Sequence, residues 1–413
     1  MTNVRDSDRS YPRIRFNGYS DAWQKRKLGN LGSTFTGLSG KTKDDFGHGA
    51  GRFITYMNVC SNPITKIEGT EAIEIDNKQH QIKKGDVFFT TSSETPEDVG
   101  MSSVWTFNTP NIYLNSFTFG YRPNVKFDLN YLAFMLRSPS IRKNFMLLAQ
   151  GVSRFNISKT KAMDIEVPVP EVEEQKMIGE VLVSINNLIT VNQRKVEKYQ
   201  ALKKALLQRM FVSGDSDIPQ IRFNGYSEAW QKRDLKEMGK IYTGNTPPTA
   251  NESNWSTSQS GHIWVTPTDI DKLTIHQSFK HLTDVGWSKS RNVPAYSVLI
   301  TCIASIGKNT INTVPVAFNQ QINAIIPVQH DSFFILAVMT RETNRLKSIA
   351  GQTATAMINK STFEKFNIIV PSLMEQTQIG TFFQSINNLI TVNQRKVETY
   401  KELKKALLQQ MFV

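Results

Sequence analysis

Two stretches of the chain carry an apolar pattern of helical period. In the first, Ile178, Leu182, Ile185, Ile189, Val196, Tyr199, Leu206 and Met210 follow steps of three and four, interrupted near Asn192 and Lys203. In the second, Ile379, Phe383, Ile386, Ile390, Val397, Tyr400, Leu407 and Met411 repeat the pattern. A seam of about four heptads predicts a coiled-coil helix in each stretch. Pro170 and Pro371 precede them at matching positions, as helix-start signals do. A helix over 172–212 would be ~60 Å long at 1.5 Å per residue. Asn192 and Asn393 fall on the seam, where a polar residue fixes register or orientation at some cost in stability. Two of them at equivalent points predict that the helices pair with each other, antiparallel. The pairing residues are then Ile185, Ile189, Asn192, Val196 and Tyr199 against Ile386, Ile390, Asn393, Val397 and Tyr400.

The same stretches expose an internal duplication. Ile14-Arg-Phe-Asn-Gly-Tyr-Ser20 returns letter for letter at 221–227, and Asp21-Ala-Trp-Gln-Lys-Arg26 returns as Glu228-Ala-Trp-Gln-Lys-Arg233, an offset of 207. Residues 184–197 recur at 385–398, and 203–208 at 404–409, both at an offset of 201. The interiors, roughly 30–148 and 236–349, show no such likeness. Shared ends predict one job done twice, and unlike interiors predict two different jobs. The interiors read as mixed α/β. Strand-like runs lie at 87–90, 112–115, 263–265 and 298–301, with shorter helices near 129–136 and 333–345. The expected fold class is α+β, with two mixed α/β domains, a pair of long antiparallel coiled-coil helices and an internal pseudo-two-fold repeat. The expected boundaries are 1–170, the first helix at 171–212, a linker at 213–220, the second domain at 221–371 and its helix at 372–413.

Composition changes this picture in one respect. The 413 residues hold 49 Lys+Arg against 36 Asp+Glu, a net charge of +13, and such an excess favours a polyanionic partner, most often nucleic acid. Part of it rides on the helices, with seven Lys/Arg against four Glu over 172–212 and five against three over 373–413. Two cysteines, Cys60 and Cys302, exclude a disulfide framework and a four-cysteine zinc site. The first residues have no apolar core of a signal peptide, and no stretch approaches the ~18 apolar residues of a membrane span, so a soluble, cytoplasmic protein without a membrane partner is expected.

Patterns that carry chemistry fail one by one. Gly37-Leu-Ser-Gly40-Lys41-Thr42 has Phe35 where a phosphate-binding loop needs its first glycine. The six histidines form neither a His-Glu-x-x-His pattern nor a close pair with cysteine, so no metal ligands are assigned. Glu174-Gln-Lys176 with Asp164 loosely suggests a nuclease, but the copy reads Glu375-Gln-Thr377. A glutamate-rich first turn is accounted for by the helix dipole. No catalytic residue is assigned, and the chain is expected to bind rather than react.

The order of repeated end, variable domain and long helix, twice over, resembles the specificity subunit of bacterial type I restriction–modification systems. The resemblance is carried by 14–26 with 221–233 and by 184–208 with 385–409. Within the second interior it is carried by Thr243-Gly-Asn-Thr-Pro247, 261–270, Ala304-Ser-Ile-Gly-Lys308 and Phe318-Asn-Gln-Gln-Ile322. In the first interior, 37–45 and 84–94 look like another type of recognition domain. The resemblance implies that each domain reads one half of a split, asymmetric site in double-stranded DNA, with the helices setting the spacer. It further implies two docked copies of an adenine methyltransferase subunit that bring S-adenosylmethionine, and restriction (motor-nuclease) subunits that bring ATP and magnesium. This chain itself would carry no cofactor.

Phosphate contacts position a protein on DNA, and polar side chains read base edges. The candidates are Lys41, Lys43, Arg52, Thr91, Ser92 and Ser93 in the first domain. In the second they are Thr243, Asn245, Thr246, Lys308, Asn309, Gln320 and Gln321. The competing reading is a stand-alone sequence-specific DNA-binding regulator, which usually carries a helix-turn-helix or zinc module and reads a palindrome. Neither module is evident.

Overall fold

The computed structural model describes residues 11–212, 216–351 and 356–413; the first three residues of the expected linker lie outside them. The chain divides into two units. One runs to Asn192 and takes in Lys396–Val413; the other is Gln193–Arg395. Each unit therefore holds one variable domain, the opening half of one long helix and the closing part of the other.

The long helices are Val172–Arg209 and Leu373–Gln410, 38 residues each, or ~57 Å at 1.5 Å per residue. In the first unit Ile185, Ile189 and Val397 form a buried cluster with Val181, Tyr400 and Leu407 packed on it. The Lys404 ammonium donates to Asn186 Oδ1 at 2.7 Å. In the second unit Lys203 donates to Asn387 Oδ1 at 2.8 Å. As numbers rise along one helix they fall along its partner, so the pairing within each unit is antiparallel. Ile386 and Ile390 are buried, while Val196 and Tyr199 are half-buried. Asn192 and Asn393 are buried as expected, but each carboxamide donates to its own helix, to Leu188 O and Leu389 O at 2.6 Å. The cross-helix polar contact that singles out a register is the Lys–Asn pair.

In the first unit a four-stranded antiparallel sheet runs in the order Gly32–Thr36, Thr118–Pro123, Val87–Thr90, Ser102–Val104. Beside it lie Thr70–Ile73, Phe46–Ile54 and Ile112–Leu114. The second unit has two five-stranded sheets. One orders Gly239–Thr243, Ile322–Pro327, Val298–Thr301, Asn309–Asn312 and Thr274–Ile275. The other orders Trp255–Ser256, Lys280–Leu282, His262–Val265, Val316–Phe318 and Asn292–Val293.

The repeated ends form one frame twice. Gln24–Lys27 pairs antiparallel with Glu166–Val169, and Gln231–Asp234 with Asn367–Val370. These two-stranded ribbons seat each domain on the start of its long helix. There the structure corrects the account of the glutamate-rich first turn. Glu174 and Glu375 are buried rather than exposed to a dipole in water, and each is gripped bidentately by an arginine of the repeated end. Arg15 reaches Glu174 at 2.6 and 2.9 Å, and Arg222 reaches Glu375 at 2.7 and 2.8 Å. One residue on, Gln175 and Gln376 each donate to the proline carbonyl before the helix and accept the backbone N–H of Asp128 or Asp331. Those aspartates cap the domain helices Leu129–Met135 and Ser332–Arg341. Gly179 and Gly380 allow this approach, because a Cβ would stand 2.6 Å from Asp128 Oδ1 or 2.1 Å from Asp331 Oδ1.

Each core closes on a helix end. Phe412 packs on Tyr131 in the first unit, and Phe211 packs on Trp230, Phe334 and Phe383 in the second. Burying such a side chain is worth about 1.5–3 kcal/mol. The Ile14 N–H donates to Gln410 O and the Ile221 N–H to Arg209 O, at 3.0 and 2.9 Å. The segment at Ile14 thus meets the end of the second long helix in the first unit, just as Ile221 meets the end of the first long helix in the second.

Candidate nucleic-acid interface

In the second unit, several sequence-selected residues converge on one polar and aromatic surface. Gly244 lets the chain turn tightly past the sheet, since a Cβ there would stand 2.2 Å from Asn319 O. Beyond that turn, Thr246 donates to Gln320 Oε1 at 2.6 Å, and Asn245 bonds the backbone N–H of Arg291 and the carbonyl of Lys289. The carbonyl of Asn245 accepts the Trp264 indole N–H at 3.3 Å. Trp264 meets Trp255 edge to face at 4.9 Å, and the Lys280 ammonium lies over both rings at 5.8 and 5.7 Å. Lys308 is exposed and reaches Pro267 O at 3.4 Å, on the turn that also carries Asp269.

The remaining choices in that unit are half-buried, as Asn245 and Thr246 are. Thr243 donates to the buried Asn323, Asn309 is bonded to Gly307 O and Thr340, and Gln321 accepts from Asn319. These bonds tie each side chain to a neighbouring loop or strand.

In the first unit the candidates separate into three places. Lys41 is bound by Asp45 at 3.3 Å and Asp76 at 3.0 Å. Those carboxylates raise its pKa, the Asp76 bond foremost. Asp76 in turn is held at about 2, first by the Lys78 backbone N–H and then by Lys41. The Lys41 charge is therefore countered by two acids, one in its own turn and one just beyond Thr70–Ile73. Arg52 and Lys43 are both exposed, and Arg52 donates through Nε and Nη2 to the hydroxyl and carbonyl of Thr70. Thr91 donates to Phe117 O at 2.7 Å, and Ser92–Ser93 pairs with Phe155–Asn156. Thr91 thereby lies beside an exposed aromatic side chain, Phe117.

Residue-by-residue reading of the sequence missed the aromatic platform of Trp255, Trp264 and Lys280, and with it Phe279, Lys289 and Arg291. A signal was present in the run Phe279-Lys280-His281, an aromatic between polar and basic residues. That Trp255 and Trp264 stand beside it depends on the pairing of Lys280–Leu282 with two strands at once. Among the described residues no group of three or more His, Cys, Asp or Glu gathers as metal ligands, and no helix is long and apolar enough to cross a membrane.

The architecture is that of a duplicated protein in which two unlike domains stand on matching helical frames. The family model described as the type I restriction modification DNA specificity domain matches this chain twice, over 20–200 and 227–401. The chain belongs to that family. It is 23% identical over 407 residues to a Methanocaldococcus jannaschii chain assigned as the specificity subunit of the type I restriction enzyme MjaX, covering 94% of this chain and 92% of that one. Over 180 residues it is 31% identical to the Haemophilus influenzae type I restriction enzyme HindI specificity subunit, covering 41% of this chain and 39% of the relative. The crystal structure of a type I restriction–modification S subunit from M. genitalium has the same fold, with a TM-score of 0.66 at 12% identity over 98% of this chain and 99% of that one.

Proposed function

We propose that the two units read the two halves of a split, asymmetric site in double-stranded DNA, as the specificity subunit of a type I restriction–modification complex. The observation that carries this reading is the contrast between duplicated frame and unlike domains. Two equal mounts bearing different polar surfaces suit two different half-sites, whereas a palindrome-reading regulator would present the same surface twice. Lysines and arginines anchor phosphates while the exposed Gln320, positioned by Thr246, faces base edges in the second unit, and Ser93 and Lys43 serve in the first. The long helices set the unread spacer.

The helices also offer docking positions in duplicate. Leu188, Val191 and Leu202 are exposed off the seam, as are Leu389, Val392 and Leu403 at the same repeat positions. Equal apolar spots on two helices suit two copies of one partner, the methyltransferase subunit that brings S-adenosylmethionine. The restriction subunits bring ATP and magnesium, and this chain contributes recognition rather than catalysis, in the bacterial cytoplasm.

The test is a genome-wide adenine methylation map from cells expressing this chain with its methyltransferase partner, with each alone as control. A split motif should be methylated only when both are present. Replacing 30–148 by the corresponding segment of another specificity subunit should change one half of the motif; a change in both halves would overturn the modular reading.

A further inference from the structure

Phe279 has no role in any core. It is 87% exposed, and a large aromatic side chain held in water is normally a cost. Yet it does not sit on a slack loop. Its backbone N–H donates to Asp269 Oδ1 at 3.0 Å, while Asp269 Oδ2 takes the backbone N–H and hydroxyl of Thr266 at 2.8 and 2.6 Å. On the other side Ser278 Oγ donates to Lys280 O at 2.6 Å. The next residue enters a sheet, with Lys280 opposite Trp264. The ring is thus presented outward from a turn braced at both flanks.

Its surroundings have the chemistry of a nucleic-acid surface. A recess of about 300 Å³ opens beside the ring, lined by Thr249, Trp255, Ser256, Lys280 and His281. It offers one aromatic wall, two hydroxyls and a cation, and the nearby Asp269 carboxylate is consumed by the turn. Lys308 lies on the far side of that turn. A positive, hydroxyl-rich rim around a projecting aromatic suits a phosphate backbone and stacked bases better than an apolar protein face.

We propose that Phe279 is a wedge that enters a base step in the half-site read by the second unit, with Lys280 on the adjacent phosphate. This rests on the DNA-reading function proposed above. Inserted apolar side chains partly unstack a step and kink the duplex by about 20–90°, a cost offset by the contacts the bend allows. Specificity would then include the ease of deforming that step as well as base-edge contacts.

The full chain with its methyltransferase partner is used to select duplexes from a random-sequence pool, and a selected duplex is labelled at both ends for energy transfer. The wild type should shorten the end-to-end distance. Phe279→Ala should remove most of that shortening and weaken binding to the selected duplex about tenfold, the scale of one lost stacking contact. Binding to an unselected duplex and the thermal midpoint should hardly change, and Phe279→Trp should restore the bend. Equal bending and affinity for Phe279→Ala and wild type would overturn the wedge while leaving the reader function intact. A pool from which the wild type enriches nothing would overturn both.

Discussion

The two units share a clamp and differ in nearly everything the clamp supports. In each, a buried glutamate in the first turn of a long helix is held by an arginine from the repeated end, and the next glutamine ties down the cap of a domain helix. Even so the clamps are not equal. In the first unit the Trp23 indole also donates to Glu174, at 3.0 Å. Its counterpart Trp230 finds no acceptor among the described residues, and neither does Nη1 of Arg222. The recognition surfaces diverge far more. The second unit gathers tryptophans, cations and an exposed phenylalanine, while the first offers hydroxyls beside Phe117 and locks Lys41 between two acids. Duplication has preserved the geometry of mounting and released the mounted surface, which is what a protein needs in order to read two different sequences at one fixed spacing.

The largest expected effect tests the clamp. Glu174→Ala removes the buried carboxylate that Arg15 grips and leaves the half-buried guanidinium only the Asp21 carbonyl, the largest loss of the set, up to about 3 kcal/mol. Glu375→Ala removes the carboxylate that Arg222 grips but breaks no tryptophan bond, so it should cost less. Denaturant unfolding of the two variants gives the order, and equal losses would show that the Trp23 bond contributes nothing.

A smaller effect is expected between the helices. Burial lowers the pKa of both Lys203 and Lys404, with Arg137 adding to the effect at Lys404. Asn186→Ala and Asn387→Ala each strip such a lysine of its acceptor, at about 1–3 kcal/mol. Lys404 keeps the Phe134 ring 5.2 Å away, so Asn387→Ala should be the more damaging. Thermal unfolding measures both, and a larger loss for Asn186→Ala would reverse this ranking.

The smallest is a pH effect confined to the first unit. The Asp76 carboxyl is held at about 2, below its ordinary 3.8. Its contribution is therefore fully present above pH 3.8 and lost as pH falls toward 2. The stability difference between wild type and Asp76→Asn should shrink over that interval. A difference that persists unchanged at pH 2 would assign the loop's order to other contacts. Both partners are only half-buried, and water screening of such a pair keeps the effect small.

Much of this architecture was legible in the chain because it rests on period and repetition. Helical spacing from Ile178 to Met210 marked a seam, and an exact copy of 14–20 marked the duplication. The interior strands at 87–90 and 298–301 announced themselves as short apolar runs and are found there. The site was less legible. Thr246 and Gln320 were chosen separately and prove to be hydrogen-bonded to each other, while Thr243, Asn309 and Gln321, equally polar, are half-buried and bonded to other neighbours. A polar side chain at a loop looks the same in sequence whether it faces DNA or a neighbouring backbone.

Local pattern sufficed to establish the two helices, the duplication, the basic charge and the family likeness, because apolar period and repeat order are properties of the string itself. Contact across long separations settled the rest. Arg15 and Glu174 are 159 residues apart, and Lys404 and Asn186 are 218 apart. Trp255 and Trp264 share a face with Lys280 because a strand pairing brings them there. A buried charge is tolerable only beside its partner, and which partner that is follows from how the chain closes on itself.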